Sequence, residues 1–285
     1  MQKTIISAAL TGVLATRDQC PAIPYTAEEI ALEARRAVDA GASIVHIHAR
    51  QPNGAPAFDV DSYRQIGIAV RQHCPDVIIN YSTGAIGLDR ELRIAHIRAL
   101  KPDMAALNMG SMNYAIYSRQ HKRFYHDMVF ANPFGDIQYF LETMNDAGTR
   151  AEMECFDAGH INNAQPLLDM GVLAAPLQFS LIMGVMGGIP ATTQSLVNQV
   201  NSLPRDAHWQ VIGIGVKQWR MVAAAITLGG NIRVGLEDNF YLREGEMARS
   251  NGDLVEKATR LVHDIGGEVA SIAETRAHLQ LPLRS

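Results

Sequence analysis

Cysteine is scarce in this chain: Cys20, Cys74 and Cys155 are the three in 285 residues, without CxxC spacing, and three thiols cannot all pair. That argues against a disulfide framework and leaves reduced thiols in the cytoplasm as the simple reading. Long apolar runs are absent too. None approaches the roughly 20 residues that span a bilayer, so no membrane partner is expected. The opening Met1–Ser7 lacks the apolar stretch of a signal peptide and leads toward a first strand. Charge of one sign is missing as well: a net −4 gives no basic footprint, so nucleic acid is not an expected partner. No GxGxxG occurs. The nearest approach, Gly184, Gly187 and Gly188, reads as a flexible loop rather than a dinucleotide fingerprint. With no proline- or serine-rich linker and no short repeat, residues 1–285 read as a single domain.

What the chain has is core material: 47% hydrophobic against 19% charged residues, which suits a large folded domain and argues against disorder. Strand-like runs alternate with helix-like runs from end to end. Eight strands are expected, at Ile5–Leu10, Ile44–His48, Val77–Tyr81, Met104–Met109, Ala151–Phe156, Leu177–Ile182, Trp209–Ile214 and Ile232–Leu236. Between them, Thr26 and Glu29 form a capping box that opens a first helix, which stops at Gly41. Further helices are expected at Asp89–Leu100, Gly135–Ala147, Ala164–Met170, Thr193–Asn201 and Gln218–Leu228, with a closing one at Asp253–Ile265. Eight such units over this length fit a (β/α)8 TIM barrel; an open doubly wound sheet is the runner-up. The longest connection, Tyr114–Phe134, reads as an excursion that lids the site or contacts another subunit.

Strand side chains alternate faces, so His46 and His48 point one way while Val45 and Ile47 point the other. In a barrel this sends the two imidazoles inward, with Arg50 on the same parity. The last strand similarly sends Arg233, Gly235 and Glu237 inward. Asn80 with Ser82, Ala106 with Asn108, and Glu152 with Glu154 share inward parities in the strands between. Barrel enzymes build their sites at the C-terminal strand ends. Strands two and eight both flank strand one there, so His46, His48 and Glu237 converge as two imidazoles and a carboxylate with an open fourth position. That is the donor set of a catalytic zinc site, in which the ion acts as a Lewis acid. The alternative for the two histidines is a hydrogen-bonded core pair. Arg233 is either a site residue or a structural ion pair with Glu152 or Glu154. Asp238 lies off the strand parity and is either at the mouth or a cap or surface carboxylate. Ser82-Thr83-Gly84 is either an ordinary turn or a cradle for a carboxylate or phosphate.

Several segments, in this order and spacing, resemble the β-keto acid cleavage enzyme family. They are Ala9–Gly12, Ala40–Arg50, Ser82–Gly84, Leu107–Asn113, Glu154–His160 and Gly230–Asn239, spread over nearly the whole chain. The resemblance implies a zinc-dependent TIM barrel that converts a β-keto acid and acetyl-CoA into acetoacetate and a new acyl-CoA. It implies His46, His48 and Glu237 as zinc ligands, Asp238 as base, Arg233 as oxyanion stabiliser and Glu154 as support to the base. Ser82 and Gly84 would seat the substrate carboxylate, beside Ala106 or Asn108. It also implies a homotetramer.

One position departs from the pattern. The family member acting on 3-keto-5-aminohexanoate binds the substrate amine through a glutamate after the first strand, where this chain has Leu14. A Leu cannot pair with an ammonium, so a neutral or apolar tail is expected instead. A quaternary ammonium would need an aromatic face from Tyr81 or Tyr114, and a second carboxylate would need Arg17. The competing readings are a metal-dependent hydrolase or aldolase working without CoA, and a non-catalytic barrel that senses small molecules.

Overall fold

The computed structural model describes residues 3–282; Met1 and Gln2 of the N-terminal reading lie outside them. Among the described residues the strands, in chain order, are β1 (Ile6–Ala9), β2 (Ile44–Ile47), β3 (Ile78–Tyr81), β4 (Met104–Asn108), β5 (Met112–Ser118), β6 (Arg123–Phe130), β7 (Arg150–Cys155), β8 (Gln178–Met183), β9 (His208–Gly213), β10 (Asn231–Val234), β11 (Tyr241–Arg243) and β12 (Glu246–Met247). Eight of them close a parallel barrel in the order β1-β10-β9-β8-β7-β4-β3-β2. These are the eight expected strands, so the TIM barrel stands and the open sheet does not. No helix among the described residues is long and apolar enough to cross a membrane.

The barrel forms because each strand carries β-branched or aliphatic side chains on its helix-facing parity. Val45, Ile47, Val211, Ile232 and Val234 are fully buried there, against helices whose apolar stripes face in. The first helix, α1 (Ala27–Asp39), begins at the expected capping box: Thr26 Oγ1 accepts from Glu29 N while Glu29 accepts from Thr26 N. The next, α2 (Val60–His73), was not expected, and α3 (Arg90–Leu100) and α4 (Phe134–Ala147) follow close to their expected bounds. A short final helix, Ile272–His278, extends the closing region beyond expectation.

The long connection after β4 is not irregular. The strands β5 and β6 pair antiparallel as a hairpin standing off the barrel mouth, with Phe124, Tyr125 and Val129 exposed. The loop holding Gly184, Gly187 and Gly188 packs against it through a bridge between Ala115 and Met186. Gly187 has φ of +97°, and a Cβ there would collide with the Asn113 carbonyl. Close approach to the hairpin is why glycine is needed there.

Inside, the barrel is unusually polar. Glu152 accepts from Asn80 Nδ2, Ser180 Oγ and Gln210 Nε2, and Ser7 Oγ donates to Gln210 Oε1 at 2.8 Å. A buried carboxylate is tolerable when its lone pairs are satisfied in this way. This network forms a floor beneath the C-terminal mouth.

Candidate active site

The last barrel strand stops at Val234, two residues earlier than its sequence suggests. Gly235 takes φ of +145°, where a Cβ would strike the Ala9 backbone, and the chain turns there. The amides of Asp238 and Asn239 both donate to the Gly235 carbonyl, at 3.0 Å each. This turn breaks the alternation of a continuing strand, so Glu237 and Asp238 both face the mouth. Strand parity alone leaves Asp238 outside.

Arg233 is the centre of the cluster. Its guanidinium binds Asp238 through Nε and Nη2 (2.9 Å each), Glu237 through Nη2 (2.6 Å) and Glu154 through Nη1 (3.3 Å). Of the two strand glutamates, Glu154 rather than Glu152 pairs with it, beside Glu237 and Asp238. Glu237 Oε1 lies 3.7 Å from His46 Nε2 and 3.5 Å from His48 Nε2. One donor atom from each of these three residues falls within 4.8 Å of the others. Donors about 2.1 Å from one tetrahedral ion sit roughly 3.4 Å apart, so the spacing suits a shared metal.

The electrostatics agree. Burial, reinforced by Arg233, pushes His46 well below its usual range, so its imidazole is neutral, as a ligand must be. Neither ring nitrogen of His46 has a hydrogen-bond partner among the described residues, and neither does Glu237 Oε2. Asn80 lies beside His46 in register but gives its amide to Glu152. Buried polar atoms without partners are costly, and a divalent cation would engage one His46 nitrogen and the Glu237 carboxylate. Burial would raise Glu237, but Arg233 and the two imidazoles hold it well below the carboxylate range. For Glu154, burial and the neighbouring carboxylates outweigh Arg233 and push it up to about 8. Asp238 is raised by burial to about 6, with Arg233 opposing.

Of these groups His48, Glu154, Arg233, Glu237 and Asp238 line a cavity of about 490 Å³, together with Ser82, Gly84, Asn108 and Leu14, while His46 lies buried behind it. Ala106 does not reach it; that residue is fully buried in β4, and its carbonyl accepts from Thr83 Oγ1 at 2.6 Å. Arg50, grouped with the inward residues by parity, ties loops together instead, donating to the carbonyls of Gly12, Ala15 and Gly54. Arg17 is held by Glu29 at 2.7 Å, so it is not waiting for a second substrate carboxylate. Tyr81 is buried edge-on to Tyr63 on the helix side and offers the cavity no face, whereas Tyr114 lines it.

Sequence reasoning missed most of the apolar wall. Phe130, Phe156, Ile182, Val185 and Ile212 line the side formed by the hairpin and the ends of β7 to β9. The signal was faint: Phe156 and Ile212 lie at or past strand ends where alternation fails, and Phe130 belongs to the unread hairpin.

A sequence model of the beta-keto acid cleavage enzyme family matches residues 3–281. The chain belongs to that family. It is 39% identical over 282 residues to the 3-keto-5-aminohexanoate cleavage enzyme of Fusobacterium nucleatum, covering 99% of each chain. It is 33% identical to the 3,5-dioxohexanoate:acetyl-CoA acetone transferase of Paraburkholderia graminis, covering 98% of this chain and 96% of the relative. The solved apo structure of ObcA shares the fold at a TM-score of 0.78 and 22% identity, over 92% of this chain and 66% of that one.

Proposed function

We propose that this family member is a zinc-dependent acyltransferase that takes a β-keto acid with an uncharged tail and acetyl-CoA to acetoacetate and a new acyl-CoA. The observation that carries this reading is the placing of His46, His48 and Glu237 beside Asp238 at one barrel mouth. A divalent ion held by those three ligands would supply Lewis acidity to the oxygens of the bound keto acid.

The chain's own groups do the rest. Ser82 and Gly84 seat the substrate carboxylate, with Asn108 beside them. Asp238 removes a proton from the α-carbon, which the adjacent ketone and carboxylate already acidify. The resulting carbanion attacks the thioester carbonyl of acetyl-CoA, and CoA leaves as thiolate. That thiolate attacks the original ketone. The bond between this ketone carbon and the α-carbon breaks, giving the acyl-CoA and the enolate of acetoacetate, and Asp238 returns the proton. Each step develops negative charge on oxygen, where fixed cations matter most. Arg233 faces this charge with Nη1, its most loosely engaged nitrogen, while Nε and Nη2 hold Asp238. Glu154, on the other side of that guanidinium, supports the pair.

Leu14 sets the tail. It lines the cavity with an apolar side chain, so a substrate ammonium beside it would gain no carboxylate. An unpaired polar group costs about 1–3 kcal/mol. In an assay of 3-oxohexanoate and 3-keto-5-aminohexanoate with acetyl-CoA, the uncharged substrate should win by about ten- to a hundredfold in kcat/KM. A preference for the amino substrate overturns the argument from Leu14. Turnover without acetyl-CoA replaces the acyltransferase reading with a hydrolase or aldolase.

Two further expectations concern the setting. A homotetramer follows from the family resemblance, and the hairpin's exposed Phe124, Tyr125 and Val129 are the natural surface to bury in it. A cytoplasmic location accords with three buried, unpaired thiols. Sedimentation of the purified protein and fractionation of cells check the two; a monomer or an exported protein refutes the corresponding expectation.

A further inference from the structure

We propose that Arg93 is a positioning residue that, from behind the barrel wall, clamps the Ser82–Gly84 turn in its carboxylate-binding form and joins it to the root of the hairpin. The inference rests on the reading of that turn as the carboxylate seat.

Arg93 lies on the inner face of α3, and its side chain points away from the cavity, which it does not line. It is 5% exposed. Its Nε donates to the Thr83 carbonyl at 3.2 Å, Nη2 to Asn132 Oδ1 at 2.8 Å and Nη1 to the Ala131 carbonyl at 3.4 Å, and the guanidinium lies over the Phe140 ring. No carboxylate forms a salt bridge with it among the described residues. A guanidinium buried with only neutral acceptors is expensive, and a structural tie at this place would not need a full charge.

One turn of helix along, His96 completes the grip. Its Nε2 lies 2.9 Å from the Ser82 carbonyl. A carbonyl only accepts, so Nε2 carries the proton, and burial pushes the ring down to about 4, which keeps it neutral. Two of the turn's carbonyls, those of Ser82 and Thr83, are thus held from the helix side. In a trans peptide the following N–H points opposite to the carbonyl. Clamping the two carbonyls backward therefore aims the Thr83 and Gly84 amides the other way, toward the cavity side. Gly84 N indeed meets Ser82 Oγ at 3.0 Å, and both residues line the cavity. Arg93 also places its positive charge behind an anion seat.

Its other contacts reach the hairpin. Asn132 and Ala131 follow β6 directly, and Asn132 N donates to Ser111 Oγ just before β5. That hairpin brings Tyr114, Ile116 and Phe130 to the cavity. One guanidinium thus sets the carboxylate seat and the wall that faces it.

The test compares wild type, Arg93→Met and Arg93→Lys by steady-state kinetics in both substrates, and by calorimetric titration with acetoacetate. Arg93→Met should raise KM for the keto acid about ten- to a hundredfold, with KM for acetyl-CoA changed less than about twofold. Acetoacetate affinity should fall in step. Arg93→Lys keeps charge but cannot reach three acceptors, so it should fall between, and it serves where Arg93→Met does not fold. Added guanidinium ion should partly restore keto acid KM in Arg93→Ala, which a general loss of packing would not permit. Equal losses toward both substrates, or a variant that binds acetoacetate like wild type, overturns the clamp. If the wild type turns over no β-keto acid, the proposed activity fails while the acetoacetate titration still decides for or against Arg93. A wild type that binds no acetoacetate overturns the seat and the clamp together.

Discussion

On the proposed role of Asp238 as base, Asp238→Asn should lower kcat by about three orders of magnitude while leaving the keto acid KM near its wild-type value. A positioned general base contributes roughly 10²–10⁴ in rate, and Asn has the shape of Asp without its basicity. The change is mild elsewhere. The lost carboxylate is not needed to hold Arg233, because Glu237 and Glu154 still bind that guanidinium at 2.6 and 3.3 Å. The remaining amide oxygen can keep one of the two 2.9 Å bonds. The decisive measurement is enzyme-dependent exchange of the substrate α-proton in D2O without acetyl-CoA. It isolates the first proton transfer from everything that follows. Exchange should vanish in Asp238→Asn and persist, slowed, in Glu154→Gln, which alters the proposed support to the base and not the proposed base. Wild-type exchange in Asp238→Asn would move the role to another group, and Glu154 would be the first to test.

The barrel was legible because its signal is redundant. Runs such as Ile44–Ile47 and Asn231–Val234 are buried on both faces, so apolar content marks them even where polar residues interrupt. The same interruptions marked the site, since His46, Arg233 and Glu154 are polar at positions a barrel ordinarily fills with aliphatics. Three features escaped for physical reasons. The helix α2 has Asp59 as its cap and Tyr63, Ile66 and Val70 on one face, but Gly67 weakens the pattern. That glycine answers a tertiary demand, the approach of the Tyr81 hydroxyl, which no local pattern records. The hairpin β5–β6 is wetted along much of both faces, so it lacks the alternation of a half-buried strand. The entry of Asp238 into the site depends on the φ of Gly235, and strand parity carries no information about a residue beyond such a turn.

The metal should matter still more than the base. One guanidinium, Arg233, faces Glu237 and Asp238 as well as Glu154, and even with Glu154 protonated, as its pKa of about 8 implies, acidic charge there exceeds basic charge. A divalent ion corrects the balance and gives His46 and Glu237 Oε2 the partners they lack. Elemental analysis should therefore find one zinc per chain, and chelation should abolish both α-proton exchange and acyl transfer. Binding to the folded state alone adds stability by mass action, about 2.7 kcal/mol at a hundredfold excess over Kd. For a chain of this size that corresponds to roughly 5 °C in Tm. His48→Ala and Glu237→Gln should each lose the metal and its Tm increment. They differ without metal. Glu237→Gln removes the carboxylate that Arg233 holds at 2.6 Å, whose pKa lies well below the usual range, so that its charge stabilises the fold. Its metal-free Tm should therefore fall below that of metal-free wild type, whereas His48→Ala keeps that ion pair and should lose less. Protein that purifies without a transition metal, and works unchanged with chelator present, would refute the metal site and leave Arg233 as the principal cation for the developing oxyanion.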